Sequence, residues 1–514
     1  MSGVANTNRE VVNERDHPGP LLLLRTDVSF QHGTGHLMRC KALADSWARA
    51  GGRSGFVTTS DLDPYRSWLD GINVHRIEPR DLLEDAEATA ELAVALRASW
   101  VAADGYHLDA HWQPAFGGAC RLLVFDDYGH GSPFCADLVL NQNPSADAAL
   151  YRQRHSETDL LLGARYALLR SQFSAWRGWK RTILPEARRL LVTFGGTDPV
   201  GMTLRVVDAL RDIPDLEAQL VVGGGNVLAE RIVEACAGTR FQVHRNVTAM
   251  AELIASCDFA LCASGSTTLE CAFLQTPQIL VSVADNQRAL ADALAAAGVA
   301  ESLGWHSNVS AQDLIQAVTN LREDASRRSA MSLAAGEMVD GLGGDRVVCQ
   351  MLARTLTLRP LGPGDQERLW LWANDPQARA ASFSGAPISW ENHVHWFAAL
   401  LGNPGARAWI AGSEAGEVLG CVRFTIEEET AILSIVLDPA FRSRGLGAAV
   451  IARASRALFA ETEVDQIHAH ISPSNRACVS DFEKAGYAQQ DAVTTQFEAA
   501  EHFTLQRPIT RATD

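Results

Sequence analysis

Positive charge is what this chain has too little of: 45 lysines and arginines stand against 61 aspartates and glutamates, for a formal net charge of -16. Sequence-independent binding to nucleic acid or to an anionic membrane needs a cationic excess, so neither partner is expected, and a phosphorylated ligand has to be held by local donors. Paired cysteines are missing as well. The ten cysteines are scattered singly, with no C-x-x-C pair and no Cys/His cluster at metal-ligand spacing. That pattern signals neither a disulfide framework nor a zinc site, no metal is expected, and reduced thiols suit a cytoplasmic protein. Long apolar runs are also absent. The LLLL at 21–24 falls far short of the roughly 20 residues of a membrane span and runs directly into Arg25, so it reads as a first buried strand behind a disordered tail over 1–18.

What is present suits ordinary globular cores: 514 residues at 47% hydrophobic content are enough for about three domains at roughly 150 residues each. From residue 20 to about 180, strand-like runs (LLLLRTD, SGFVTT, ASWVAADGY, RLLVFDDYG, ADLVLNQN) alternate with helical patterns such as HLMRCKALADSWARA. After WRGWKRTILPEARR the grammar repeats with RLLVTFGGTDP, LEAQLVVGGG, FQVHRNV, DFALCASGSTTLECAFL and QILVSVADNQ. Strands separated by helices predict doubly wound parallel sheets, with ligands at the carboxyl ends of the strands. The expected architecture is an α/β pair of Rossmann-like halves, 19–180 and 181–352, facing across a cleft, with GLGGDRVV at 341–348 as closing loop and last helix. After TLRPLGPGD the segments ARAWIAG, EVLGCVRFTI and AILSIVLDP follow in hairpin succession, so an antiparallel α+β domain is expected over 357–510.

In the third domain, Arg442-Ser443-Arg444-Gly445-Leu446-Gly447 joins a strand to a helix. Glycines there let backbone N–H groups converge on an anion at the helix start, and Arg442 and Arg444 add charge, which suits a pyrophosphate. The sequel DQIHAHISPSN and NRACVSDFEKAGY opens a helix at Asn475 and closes it at Gly486. The run closely resembles the GCN5-related N-acetyltransferases (GNAT). The resemblance implies acetyl-CoA as co-substrate, held by Arg442, Arg444, Gly445, Gly447, Asn475 and the main chain of a splayed strand at Ser434, Val436 and Leu437. The family often has a proton-donating tyrosine where this chain has Phe482, leaving the acid/base group open. His468 and His470 share one strand face and are candidate bases, although core or surface roles are preferred for them. Glu391, His393 and His395 are candidates for the acceptor pocket, again with a structural role preferred.

In the second half, Ser264-Gly265-Ser266-Thr267-Thr268 precedes a helix carrying Glu270. Small hydroxyl residues at a helix start offer donors to a diphosphate, and a carboxylate one turn in can accept two ribose hydroxyls, which looks like the nucleotide half of GT-B proteins. Gly195 and Gly196 form a second glycine turn after a strand, and Asp285-Asn286-Gln287 follows another. In the first half, a glycine turn presents His36 at the start of a helix, where the positive terminus favours the neutral ring and so a base able to take a proton from water.

The set RTDVSFQHGTGHLMRC, ADGYHLD, FDDYGHG, LNQN, FGGTDP, SGSTTLECA and ADNQ resembles, over nearly all of 20–350, the UDP-2,4-diacetamido-2,4,6-trideoxy-β-L-altropyranose hydrolases of pseudaminic acid biosynthesis. The resemblance implies His36 as general base for water attacking the anomeric carbon, with inversion and release of UDP. It places Tyr106 and Asn286 around the sugar, and Gly35, Asp104, Asp126, Asn143 and Gln287 among the substrate contacts. An acetyltransferase on the same chain would then make the substrate that the hydrolase consumes, so the partners expected are UDP-linked amino sugars. A GT-B glycosyltransferase using the same cleft with an alcohol acceptor is the alternative, and a non-catalytic ligand sensor is a third.

Overall fold

A computed structural model describes residues 19–28, 35–69, 71–245, 247–413, 416–442, 445–494 and 499–507. The expected tail over 1–18, the glycine turn preceding Gly35 and Arg444 lie outside the described residues. The chain divides into two compact units, Met1–Gly344 and Asp345–Asp514.

The first unit holds two sheets. Strands β1 (Leu21–Thr26), β2 (Arg53–Thr58), β3 (Asn73–Arg76), β4 (Trp100–Asp104), β5 (Arg121–Phe125), β6 (Leu138–Asn141) and β7 (Asp159–Leu162) pair in parallel in the order 3-2-1-4-5-6-7. Strands β8 (Arg189–Thr193), β9 (Glu217–Val222), β10 (Phe241–Arg245), β11 (Phe259–Ala263), β12 (Gln278–Ser282) and β13 (Ala300–Trp305) repeat it in the order 10-9-8-11-12-13. Both are doubly wound. Helices cover both faces of such sheets, so the inner strands are apolar throughout rather than alternating, as the buried Leu21–Leu24 and Phe259–Ala263 show. Arg25 is fully buried in the same strand because Asp85 receives Nε and Nη2 at 3.0 and 2.5 Å and Asp27 receives Nη2 at 2.8 Å. The strand order reverses between β1 and β4 and again between β8 and β11, and the crevice outside such a reversal is where ligands bind.

No described strand lies between β7 and β8. The connection is pinned to the second half by Arg181, which donates to the carbonyls of Leu274, Ile254 and Cys257 and to the Thr276 hydroxyl.

The second unit is α+β. Strands β14 (Leu356–Pro360), β15 (Ala406–Ser413), β16 (Val418–Glu427), β17 (Thr430–Leu437), β18 (Gln466–Ile471), β19 (Ala488–Thr494) and β20 (Ala499–Gln506) are ordered 14-15-16-17-18-20-19. All pairs are antiparallel except β17 with β18, which the helix Leu446–Glu461 connects. β17 pairs with β16 along its whole length but with β18 only from Thr430 to Ile432. Beyond Ile432 the two strands diverge into a wedge. The tryptophan-bearing helices Gln366–Ala373 and Trp390–Gly402 pack Leu369, Trp372 and Phe397 on Ile410 and Cys421 of the sheet. The helix Gly343–Arg354 begins at the division between the units, whereas the sequence pattern suggests a last helix of the Rossmann-like pair ending at 352. Its Gln350 accepts from Arg456 and its Arg346 donates to the Glu483 carbonyl, both within the second unit.

Candidate functional site

At the reversal of the first sheet, β4 ends in Asp104 and the helix Gly35–Arg49 begins beside it. Asp104 is fully buried, and its Oδ1 lies 2.6 Å from His36 Nδ1. Arg39, one turn beyond His36 on the same helix face, donates Nε to Asp104 Oδ2 at 2.5 Å, Nη2 to Oδ1 at 2.7 Å and Nη1 to Asp127 Oδ1 at 2.8 Å. Burial alone raises the Asp104 carboxyl, but the Arg39 charge and the hydrogen bonds from Arg39 and His36 outweigh it and hold the group well below the usual carboxylate range. Asp127 is likewise held low, burial being overcome chiefly by Arg39. An ionised carboxylate against Nδ1 requires the proton on that nitrogen. The neutral ring therefore carries its lone pair on Nε2.

Tyr106, two residues past Asp104, sets its ring edge-on to His36 with centroids 4.9 Å apart. Its hydroxyl donates to Asp127 Oδ2 at 2.9 Å and accepts from Asn286 Nδ2 at 2.7 Å, a bond that joins the two Rossmann-like halves. Burial and the Asp127 charge push the phenol well above its ordinary value, so it stays protonated. Asn143 donates to Asp127 Oδ1 at 3.1 Å. One constellation thus brings together His36, Asp104, Tyr106, Asn143 and Asn286 with two residues absent from the sequence expectations, Arg39 and Asp127.

Asp126 does not share it. Its carboxylate accepts the N–H groups of Tyr128, Gly129 and Gly131 and the Tyr151 hydroxyl, and His130 Nδ1 lies 2.7 Å away. Asp126 builds the turn after β5, and its neighbour Asp127 faces the cluster. Both belong to the F-D-D run; successive residues leaving a strand point to opposite sides, and only the fold says which side is the cleft. Among the described residues nothing lies within 4 Å of where a Cβ on Gly35 would stand.

In the second half, Gly195 takes a left-handed φ of +84° after β8, and a Cβ on Gly223 would stand 2.2 Å from the Gly196 carbonyl oxygen. Gly223, the first glycine after β9, is explained by that packing. The Ser264 hydroxyl is buried and makes no hydrogen bond within the described residues, Ser266 and Thr267 lead into the helix Thr267–Phe273, and Thr268 Oγ1 returns to the Gly265 carbonyl at 2.7 Å. Glu270 is not an open carboxylate. Arg170 grips both of its oxygens at 2.6 Å, so a ribose would have to share them. Gln287 accepts the Val283 N–H at 3.0 Å and supports the turn, leaving Asn286 as the member of the pair that reaches Tyr106.

In the second unit, the main chain of Leu433–Leu437, including Ser434, Val436 and Leu437, borders the wedge and lacks β18 as a pairing partner. Gly445 caps the helix Leu446–Glu461 at a left-handed φ of +70°, and the first helical N–H groups follow it. Other expected contacts are engaged within the chain. Arg442 pairs with Asp375 and donates to the Leu437 carbonyl, and Asn475 caps its own helix by accepting the Cys478 N–H at 3.2 Å. A Cβ on Gly447 would lie 2.1 Å from Asp481 Oδ2, so that carboxylate would have to move. Phe482 is core, set at right angles to Tyr487 with centroids 4.9 Å apart. His393 bonds the Gln366 carbonyl from a buried position, while Glu391 and His395 lie on an exposed helix surface, so the structure does not gather these three. Among the described residues no group of three or more His, Cys, Asp or Glu is arranged for a metal, and no helix is long and apolar enough to cross a membrane.

The family model described as the acetyltransferase (GNAT) domain matches residues 355–488, and the one described as lipid-A-disaccharide synthetase matches 217–287. An uncharacterized protein of Methanocaldococcus jannaschii, MJ1062, is 22% identical over 72% of this chain and 76% of its own length. The spore coat polysaccharide biosynthesis protein SpsG of Bacillus subtilis is 26% identical over 44% of this chain and 68% of its own. The UDP-N-acetylglucosamine--N-acetylmuramyl-(pentapeptide) pyrophosphoryl-undecaprenol N-acetylglucosamine transferase of Thiobacillus denitrificans is 30% identical over 36% of this chain and 53% of its own. Among solved structures, Acinetobacter baumannii MurG aligns at TM-score 0.46 and 17% identity over 64% of this chain and 98% of its own. The aminoglycoside acetyltransferase AAC(6')-Ib aligns at TM-score 0.28 and 23% identity over 30% and 94%.

Proposed function

We propose that this chain, which joins a glycosyltransferase-like GT-B unit to a GNAT acetyltransferase domain, is a bifunctional enzyme of nonulosonate (pseudaminic acid) biosynthesis. The second unit transfers the acetyl group of acetyl-CoA to an amine of a UDP-linked amino sugar. The first unit hydrolyses the resulting UDP-2,4-diacetamido sugar to free sugar and UDP. The observation that carries the hydrolytic reading is the ionised Asp104 2.6 Å from His36 Nδ1, which sets the proton of the neutral ring on Nδ1 and its lone pair on Nε2, the atom that takes a proton from water. Water attacks the anomeric carbon, the bond to the diphosphate oxygen breaks with its electron pair, and the carbon inverts. Tyr106 and Asn286 bound the space beside the histidine and orient sugar hydroxyls, and the small hydroxyl residues at 264–268 supply donors to the diphosphate. Two consecutive activities on one chain keep the intermediate at raised local concentration.

Mass spectrometry of products from UDP-4-amino-4,6-dideoxy-N-acetyl-β-L-altrosamine, with and without acetyl-CoA, tests this. Free diacetamido sugar plus UDP, only when acetyl-CoA is present, is the expected result. An acetylated sugar still attached to UDP would overturn the hydrolytic half. The lipid-A-disaccharide synthetase match at 217–287 favours glycosyl transfer as the second reading. Products formed only when an alcohol acceptor is added would establish it.

A further inference from the structure

Three histidines form a row on the second unit's sheet, beside the wedge and apart from the residues proposed to hold the co-substrate. His468 and His470 lie two apart on β18, and His502 on β20 stands in register with His470. His468 Nδ1 is 2.9 Å from His502 Nε2 with the rings within 7° of parallel, and the His470 ring centroid lies 5.3 Å from that of His502. All three are half-buried.

Their place in the sheet is specific. His468 registers with Ile432, the last β17 residue to pair before the wedge opens, and His470 is one pleat further toward its mouth. Strand alternation puts Ile432, Ser434 and Val436 on the same face as His468. On that face Val436 packs against the cluster of Leu369, Trp372 and Phe397, and Arg423, which registers with Ser434, lies 4.8 Å from the Trp396 ring centroid. The histidines therefore continue the face that the tryptophan-bearing helices cover, at the end nearest the diverging strands.

Two imidazoles joined by one hydrogen bond make a proton conduit. If His468 Nδ1–H donates, His468 Nε2 is bare and His502 Nδ1 carries a proton; if His502 Nε2–H donates, the roles exchange. Either way one outer nitrogen can accept a proton while the other ring releases one through the shared bond.

We infer that the His468–His502 pair, with His470 beside it, is the proton acceptor of acetyl transfer, taking a proton from the ammonium of an amino-sugar acceptor and passing it to solvent. The inference rests on the acetyltransferase reading of this unit. An ammonium has no lone pair to attack with. Once the imidazole removes one proton, the nitrogen forms a C–N bond to the thioester carbonyl carbon, and the C–S bond breaks with its electron pair on sulfur. The nitrogen's second proton ends on the thiolate, so the products are the N-acetyl sugar, the free thiol and one proton in solvent. This accounting needs no side-chain acid at Phe482. The groups facing the pair from neighbouring strands, Ile432 on β17, Thr504 on β20 and Gln490 on β19, are uncharged. Burial, reinforced by the neighbouring histidines, lowers all three imidazoles from their ordinary value, which keeps the accepting form populated at neutral pH.

The test uses the full chain with His468→Gln, His502→Gln and His468→Ala. Thiol release at saturating acetyl-CoA and UDP-linked amino sugar gives kcat, calorimetry gives acetyl-CoA affinity, and NMR of the imidazole C2–H resonances follows the titration of His468 and His502. The expected result is a fall in kcat of about 100-fold in each Gln variant with acetyl-CoA affinity unchanged. Added imidazole should partly restore His468→Ala, and in wild type the two resonances should titrate together. Folded Gln variants with kcat within about threefold of wild type would overturn the relay and leave the acetyltransferase reading standing. A wild-type chain that binds acetyl-CoA but releases no thiol with the amino sugar would overturn that reading, and the relay with it.

Discussion

Replacing Asp104 by Asn probes the first unit most directly, because one carboxylate holds both the His36 Nδ1 proton and two Arg39 donors. An amide has one acceptor oxygen and one NH2. If the oxygen faces His36, the NH2 meets Arg39, and two donors oppose each other in a buried place. If the NH2 faces His36, Nδ1 must lose its proton, and the imidazole proton moves to Nε2, the nitrogen needed as base. Either arrangement weakens charge-assisted bonds worth about 1.5–3 kcal/mol each, partly compensated by Asp127, which still receives Arg39 Nη1. A stability loss of about 2–4 kcal/mol follows. A general base contributes roughly 10²–10⁴ in rate, so UDP release should fall by that factor, about 3–5 kcal/mol of barrier. Acetyl transfer by the same preparation should be unchanged, and a cooperative thermal melt of the first unit serves as its folding control. The pH dependence has a definite sign. Because the folded carboxyl is depressed, its contribution is present above the unfolded value of about 4 and is lost as pH falls through the folded one. Wild type should therefore lose its stability advantage over the Asn variant in acid, as read by thermal melts across pH. An Asn variant that is folded and releases UDP within about threefold of wild type would refute the dyad.

Tyr106→Phe and Asn286→Ala each remove the Tyr106–Asn286 bond, one of those between the two halves; kcat/KM for UDP release should fall by about tenfold, with melting temperature nearly unchanged for the exposed Asn286. Gly447→Ala forces a Cβ against Asp481 and should destabilise the second unit by about 1–3 kcal/mol and weaken acetyl-CoA binding by calorimetry, with Asp481→Ala in the same chain restoring most of the loss. Burial raises the Asp481 carboxyl to about 6, so its ionisation opposes folding as pH rises from the unfolded value of about 4 through 6. Asp481→Asn should then stabilise the protein by on the order of 2 kcal/mol at pH 8 and by nothing at pH 4, seen in denaturant titrations at the two values.

Periodicity alone carried the two doubly wound sheets and the later change to an α+β domain, because strands buried on both faces are continuously apolar and hairpin strands are not. The glycine turn before a helix led to His36 and the family resemblance to Tyr106 and Asn286, and the structure brings the three together. What could not be read locally is which partner each side chain meets. Asp126 and Asp127 are adjacent and chemically identical, yet the twist of the chain after β5 turns one into the loop and the other toward Arg39. Glu270 looks open in its own helix until Arg170, one hundred residues earlier, grips both its oxygens. Gly447 suits a phosphate turn by its motif, but its missing side chain also leaves room for the Asp481 carboxylate of another helix. His502 stands 34 residues beyond His468 and joins it only through strand register. Local sequence determines element type, since periodicity and capping act within a few residues. Only the tertiary structure decides which charges and protons are shared, because those pairings depend on strand order and register that no single segment encodes.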